Sequence, residues 1–223
     1  MVEAPSTAKL LKLLAWLSPA FPVGAFSYSG GLEQAVHDER VTDRESLAEW
    51  LSTLIAHGAI WNDAVLFAEA YRSFGDPERL HFAGELAEAL AGSAERHRET
   101  MLQGEAFVSA AMSWPHPVFD ALDGAVAYPV AVGAVAGAHD TGLPPSLAAF
   151  LHAVLSNLVS VAIRCGVIGQ RDGVHVLAGL EDAIGAITAR AAESTLDDLG
   201  SASLMADIAS LRHETLGSRL FRS

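Results

Sequence analysis

The chain has 223 residues, with 14 lysines and arginines against 27 aspartates and glutamates and a formal net charge of −13. That balance excludes a nucleic-acid binder of the usual kind, which lays a basic footprint along the phosphates, and a single cysteine, Cys165, excludes a disulfide scaffold. With 51% hydrophobic and 18% charged residues, the composition predicts one compact domain over residues 1–223.

In chain order, Lys9 and Lys12 ahead of Leu13-Leu14-Ala15-Trp16-Leu17 imitate a signal peptide. Lys12 interrupts the apolar run and Glu3 lies where such a segment should be positive, so an amphipathic first helix is expected, in a cytoplasmic protein. Leu47, Trp50, Leu51, Leu54 and Ile55 follow helical spacing, and Thr42-x-x-Glu45 reads as their capping box. Phe67, Ala70, Tyr71 and Phe74 repeat the pattern. Gly75-Asp76-Pro77 then supplies a stop, an N-cap and a proline at the first helical position, opening a helix that turns Leu80, Ala83, Ala87 and Leu90 inward. Ser93 opens the next, to about Met112, and its charges Glu95, Arg96 and Glu99 read as a solvated face.

Trp114-Pro115-His116-Pro117 breaks the pattern as a turn. Tyr128-Pro129 begins a helix of small residues ending near Gly142. Another starts at Pro145 and carries the Leu147 to Ile163 stretch, which is apolar on nearly every face and short of a clean membrane span. It is expected to be the central helix. After the Gly169–Gly173 turn, Leu177, Leu180, Ile184, Ile187 and Ala191 form one more stripe, and Leu204, Ile208 and Leu211 a weak last one. No segment alternates like a strand, so the fold class is all-α, a single-domain bundle of roughly eight to ten helices.

Catalytic signatures are missing. There is no phosphate loop, and Ser27-Tyr28-Ser29-Gly30-Gly31 lacks the glycine two residues before either serine that a nucleophile elbow requires. Nine histidines are scattered without a His-Glu-x-x-His helix, so no metal site and no cofactor are expected. A helical enzyme built on His37, His97 and Glu99 is the weakest reading. Cys165 follows Arg164, a cation that lowers a thiol's pKa when close, but no base accompanies it and a structural thiol is expected.

Four irregular motifs carry the reading further: Ser18-Pro19-Ala20-Phe21-Pro22-Val23-Gly24-Ala25-Phe26-Ser27-Tyr28-Ser29-Gly30-Gly31-Leu32-Glu33; Ala94-Glu95-Arg96-His97-Arg98-Glu99-Thr100; Asn157 to Arg164 followed by Gly169-Gln170-x-x-Gly173; and His213-Glu214-Thr215 followed by Ser218-Arg219-Leu220-Phe221-Arg222-Ser223. In order and spacing they resemble the urease accessory protein F (UreF) family across nearly the whole chain. Small departures are Gly30, Val167, and Leu216-Gly217.

The resemblance implies a helical, dimeric protein without catalysis of its own. It implies assembly with UreD (also called UreH), the GTPase UreG and apo-urease, as an adaptor that promotes nickel insertion. A GTPase-activating or fidelity-checkpoint role is the alternative. Residues 213–223 are expected to be a flexible tail in which Arg219, Leu220, Phe221, Arg222 and Ser223 bind UreD/UreH, because an aromatic between two guanidinium groups has hot-spot composition. Glu33, Glu99, Arg164 and Gln170 match polar positions of the motifs and are expected on the GTPase side. Arg164, set in an apolar helix, is a poor arginine finger.

Overall fold

The computed structural model describes residues 6–122, 124 and 126–223. Among these the chain is all-helical: α1 (Thr7–Trp16), a 3-10 turn (Ala25–Ser27), α2 (Leu32–His37), α3 (Arg44–His57), α4 (Ala59–Ser73), α5 (Pro77–Ala89), α6 (Ala94–Ala111), α7 (Val118–Ala121), α8 (Tyr128–Ala138), α9 (Leu143–Arg164), α10 (Gln170–Gly179), α11 (Glu181–Glu193), a second 3-10 turn (Leu196–Asp198) and α12 (Leu204–His213). Twelve α-helices exceed the eight to ten expected for two reasons. α2 and α7 have six and four residues, too few to show a period. The stripe from Leu177 to Ala191 is cut at Leu180, which ends α10 and precedes α11.

Local chemistry sets the helix starts. The Asp76 carboxylate accepts from the Arg79 N–H at 3.2 Å with Pro77 at the first helical position, and the Ser93 hydroxyl accepts from the Arg96 N–H at 3.1 Å. The cap of α3 is shifted by one residue from the expectation. Asp43, not Thr42, is the N-cap, and it exchanges hydrogen bonds with Ser46 rather than Glu45. Gln170 likewise begins α10, so the expected turn at 169–173 holds the first turn of a helix.

The centre of the bundle is the α4–α8 pair, which makes the most extensive helix contact in the molecule. Nine of the eleven residues of α8 are buried. Its Gly133 and Gly137, one turn apart, face the backbone of α4: a Cβ on either would stand 2.4 Å from the Phe67 carbonyl oxygen or 2.3 Å from that of Tyr71. Small residues therefore let two backbones meet, and the apolar α9 is not the central helix expected. α9 is long and apolar enough for a membrane-span test of length and composition, but half of that window is buried against protein, and it packs on α11, α10 and α4.

α1 and α12 each turn three large apolar side chains outward. α12 buries Ala209 and His213, while its stripe is displaced to solvent, with Leu204 68% and Leu211 50% exposed. α1 buries Leu13 and Trp16 and exposes Leu10, Leu11 and Leu14. Leu90, expected inward, is also exposed.

Candidate docking site

The chain beyond α12 is not a free tail. From His213 it turns back across α2, α6 and the end of α9, and Phe221 and Ser223 are buried. Part of this path is extended pairing with the loop after the first 3-10 turn. The Arg222 N–H donates to the Ser27 carbonyl at 2.8 Å, and the Ser29 N–H donates to the Ser223 carbonyl at 2.8 Å, joined by the Ser29 hydroxyl. Beside it, Gly31, at φ +82°, lets α12 approach: a Cβ there would stand 2.8 Å from the Ser210 backbone nitrogen.

Carboxylates hold the segment from below. Glu33, in the first turn of α2, accepts from the Leu220 N–H at 2.7 Å through Oε1 and from the Phe221 N–H at 3.1 Å through Oε2. Those amides have no helix or sheet partner, so a carboxylate satisfies groups that burial would otherwise leave costly. His213, with no exposed side-chain surface, places Nε2 2.9 Å from Glu33 Oε2 and Nδ1 2.6 Å from Glu95 Oε2. Glu95 also pairs with Arg219. Glu99 accepts from the Ser223 hydroxyl at 2.8 Å and lies 3.3 Å from Arg96, which reaches Asp63 at 2.5 Å. Burial pushes the Asp63 and Glu99 carboxyls above the usual carboxylate range, with the Arg96 guanidinium opposing it.

The cation over Phe221 is Arg164, 4.2 Å from its ring centroid. Arg164 is the last residue of α9 and is exposed, not enclosed in the apolar helix as expected. Burial and nearby Glu33 push the Cys165 thiol up to about 11, against a smaller opposite pull from Arg164.

Of the four residues assigned to one surface and the five assigned to another, eight converge here. Glu33, Glu99 and Arg164 grip the segment formed by Arg219, Leu220, Phe221, Arg222 and Ser223. Gln170 stands apart, exposed at the start of α10. Sequence reasoning missed Glu95, Arg96, Asp63, Ser29 and the central position of His213. A signal was present in α6: Glu99, Gln103 and Phe107 recur every four residues, so two polar side chains share the face of a core aromatic. What remains outward is a short strip, with Leu220 70% exposed, Arg219 and Arg222 beside it, and Phe26 69% exposed next to Ser27.

The arrangement is that of an all-helical protein whose charged groups here fix its own terminal segment and whose outward groups at this place are an apolar side chain and guanidiniums. The UreF family model matches residues 41–181. Over all 223 residues, and the full length of each relative, the chain is 63% identical to the urease accessory protein UreF of Sinorhizobium medicae (strain WSM419) and to that of Rhizobium meliloti (strain 1021). It is 59% identical, again end to end, to that of Agrobacterium fabrum (strain C58). The chain belongs to the UreF family of urease accessory proteins.

Proposed function

We propose that this protein acts in the cytoplasm as a dimeric, non-enzymatic adaptor in urease maturation, docking UreD/UreH and the GTPase UreG on apo-urease and so promoting nickel insertion. Family membership supports the process. The observation that carries the adaptor reading is the locked terminal segment. Because Glu33, Glu99 and Arg164 already order it, Leu220 and Arg222 are presented to a partner without the ordering cost a free tail would incur. On this reading the UreD/UreH strip (Arg219, Leu220, Phe221, Arg222, Ser223) and the supports Glu33, Glu99 and Arg164 form one docking unit. Gln170 belongs to a separate contact on the GTPase side.

Deleting Leu220 to Ser223 is expected to abolish recovery of UreD in a pull-down while helicity by circular dichroism is kept. Recovery at full yield sinks the assignment. The activating-protein reading is favoured by one feature, the exposed guanidiniums of Arg164 and Arg222. Single-turnover GTP hydrolysis by UreG with and without this protein separates the two: a large acceleration lost in one arginine variant replaces the adaptor reading with the activating one.

A further inference from the structure

His213 closes α12 where that helix meets α2, α6 and the terminal segment, and its side chain has no exposed surface. Both ring nitrogens face carboxylate oxygens, Nε2 that of Glu33 at 2.9 Å and Nδ1 that of Glu95 at 2.6 Å. A neutral imidazole has one N–H and one bare lone pair, so it can serve only one ionised carboxylate and must turn its lone pair on the other. Only the imidazolium donates to both.

We propose that His213 is the positioning residue of the docking strip and works as an imidazolium, tying Glu33 and Glu95 into one unit that fixes where Leu220 and Arg222 stand. The inference rests on the docking reading above and adds the group that sets its geometry. Three observations favour the charged ring. First, each carboxylate is committed as an acceptor in its other contacts: Glu33 takes the Leu220 and Phe221 amides, and Glu95 takes the Arg219 guanidinium. Second, among the described residues Glu33 has no other cationic partner, since Arg96 is engaged by Asp63 and Glu99 and Arg212 by Asp38. Without a charge on His213, a carboxylate only 10% exposed would be left uncompensated. With it, two carboxylates meet two cations, His213 and Arg219, and the charges close. Third, His213 is the last residue of α12, where unpaired helix carbonyls favour a cation. The ring thus acts through Glu33, holding in place the two oxygens that receive the amides of the strip.

Two measurements on the full chain, neither needing a partner protein, test this. Nitrogen-15 spectroscopy of the wild-type histidine rings at neutral pH, assigned through the His213 side-chain carbons, is expected to show a proton on both ring nitrogens. One bare nitrogen overturns the proposal, and this readout decides even where a variant fails to fold. Hydrogen exchange at Leu220 and Phe221 is the second measurement. His213→Gln keeps one donor but turns its amide oxygen toward a carboxylate, and is expected to speed exchange at these two amides about 30-fold, with the α4–α8 amides changed far less. His213→Gln/Glu95→Gln removes one charge of each sign and offers that oxygen an N–H, and is expected to bring exchange back to within about threefold of wild type. Wild-type exchange in His213→Gln overturns the proposal. So does a double variant as open as the single one, because a ring that only fills space is not rescued by a change in its neighbour's charge. Leu220→Ala, at an exposed position, leaves the bridge intact, so its affinity for UreD bears on the docking reading alone.

Discussion

Glu33→Ala removes the acceptor of two backbone amides and the partner of a fully buried imidazole. Its side chain is about 10% exposed, so solvent replaces little of what is lost. Breaking one side of a buried hydrogen-bonded charge costs about 3–5 kcal/mol. The chain escapes part of this by releasing the terminal segment, which re-exposes Phe221 at about 2–3 kcal/mol. A local loss of about 3 kcal/mol corresponds to about two decades in the opening equilibrium. Hydrogen exchange read at Leu220 and Phe221 is therefore expected to accelerate about 100-fold in Glu33→Ala, with the α4–α8 amides changed far less. Glu33→Gln keeps one acceptor oxygen and is expected to fall between, at about tenfold. Wild-type exchange at these two amides in Glu33→Ala refutes the reasoning, because it leaves the segment held by something other than this carboxylate.

Other expectations follow from the same geometry. Gly133→Ala drives a Cβ into the Phe67 carbonyl and should destabilise by about 1–3 kcal/mol in urea unfolding, whereas Gly84→Ala, with nothing within 4 Å, should be neutral or stabilising. Asp76→Ala should cost about 0.5–2 kcal/mol by loss of the α5 cap, visible as a lower urea midpoint at unchanged slope. The raised Cys165 thiol should react with iodoacetamide at pH 8 about one to two orders of magnitude more slowly in the folded than in the urea-unfolded chain. Because the unfolded chain gives up that proton first, between about pH 9 and 11 the folded state binds more protons than the unfolded, and stability should fall as pH rises through this window. Cys165→Ser should flatten that slope.

Helix starts were legible where one residue type has one local job, as at Asp76 and Ser93. They were ambiguous at Thr42-Asp43, where two overlapping boxes fit the same letters and the aspartate won. The stripe of α12 had the right period and the wrong direction: spacing reports that Leu204 and Leu211 share a face, not whether that face meets this chain or another. α9 looked central because it is the longest apolar run. The centre went to α8 because Gly133 and Gly137 permit a backbone approach that bulkier helices cannot make. The site was half legible. Its residues stood out as motifs, yet their convergence joins positions 33, 99 and 164 to 219–223, and pairings so far apart in the chain leave no local trace. A charged run such as Glu95 to Glu99 looks the same on paper whether water or a buried histidine faces it.

The central claim is that the locked segment presents Leu220 and Arg222 to a partner. Calorimetric titration of UreD into the wild-type protein and into Leu220→Ala/Arg222→Ala measures it directly, since both side chains are exposed and their loss leaves Phe221 and its clamp in place. The account predicts at least about a 30-fold loss of affinity, from two hot-spot contacts of about 1 kcal/mol or more each, with an unchanged melting temperature. Wild-type affinity in the double variant contradicts it.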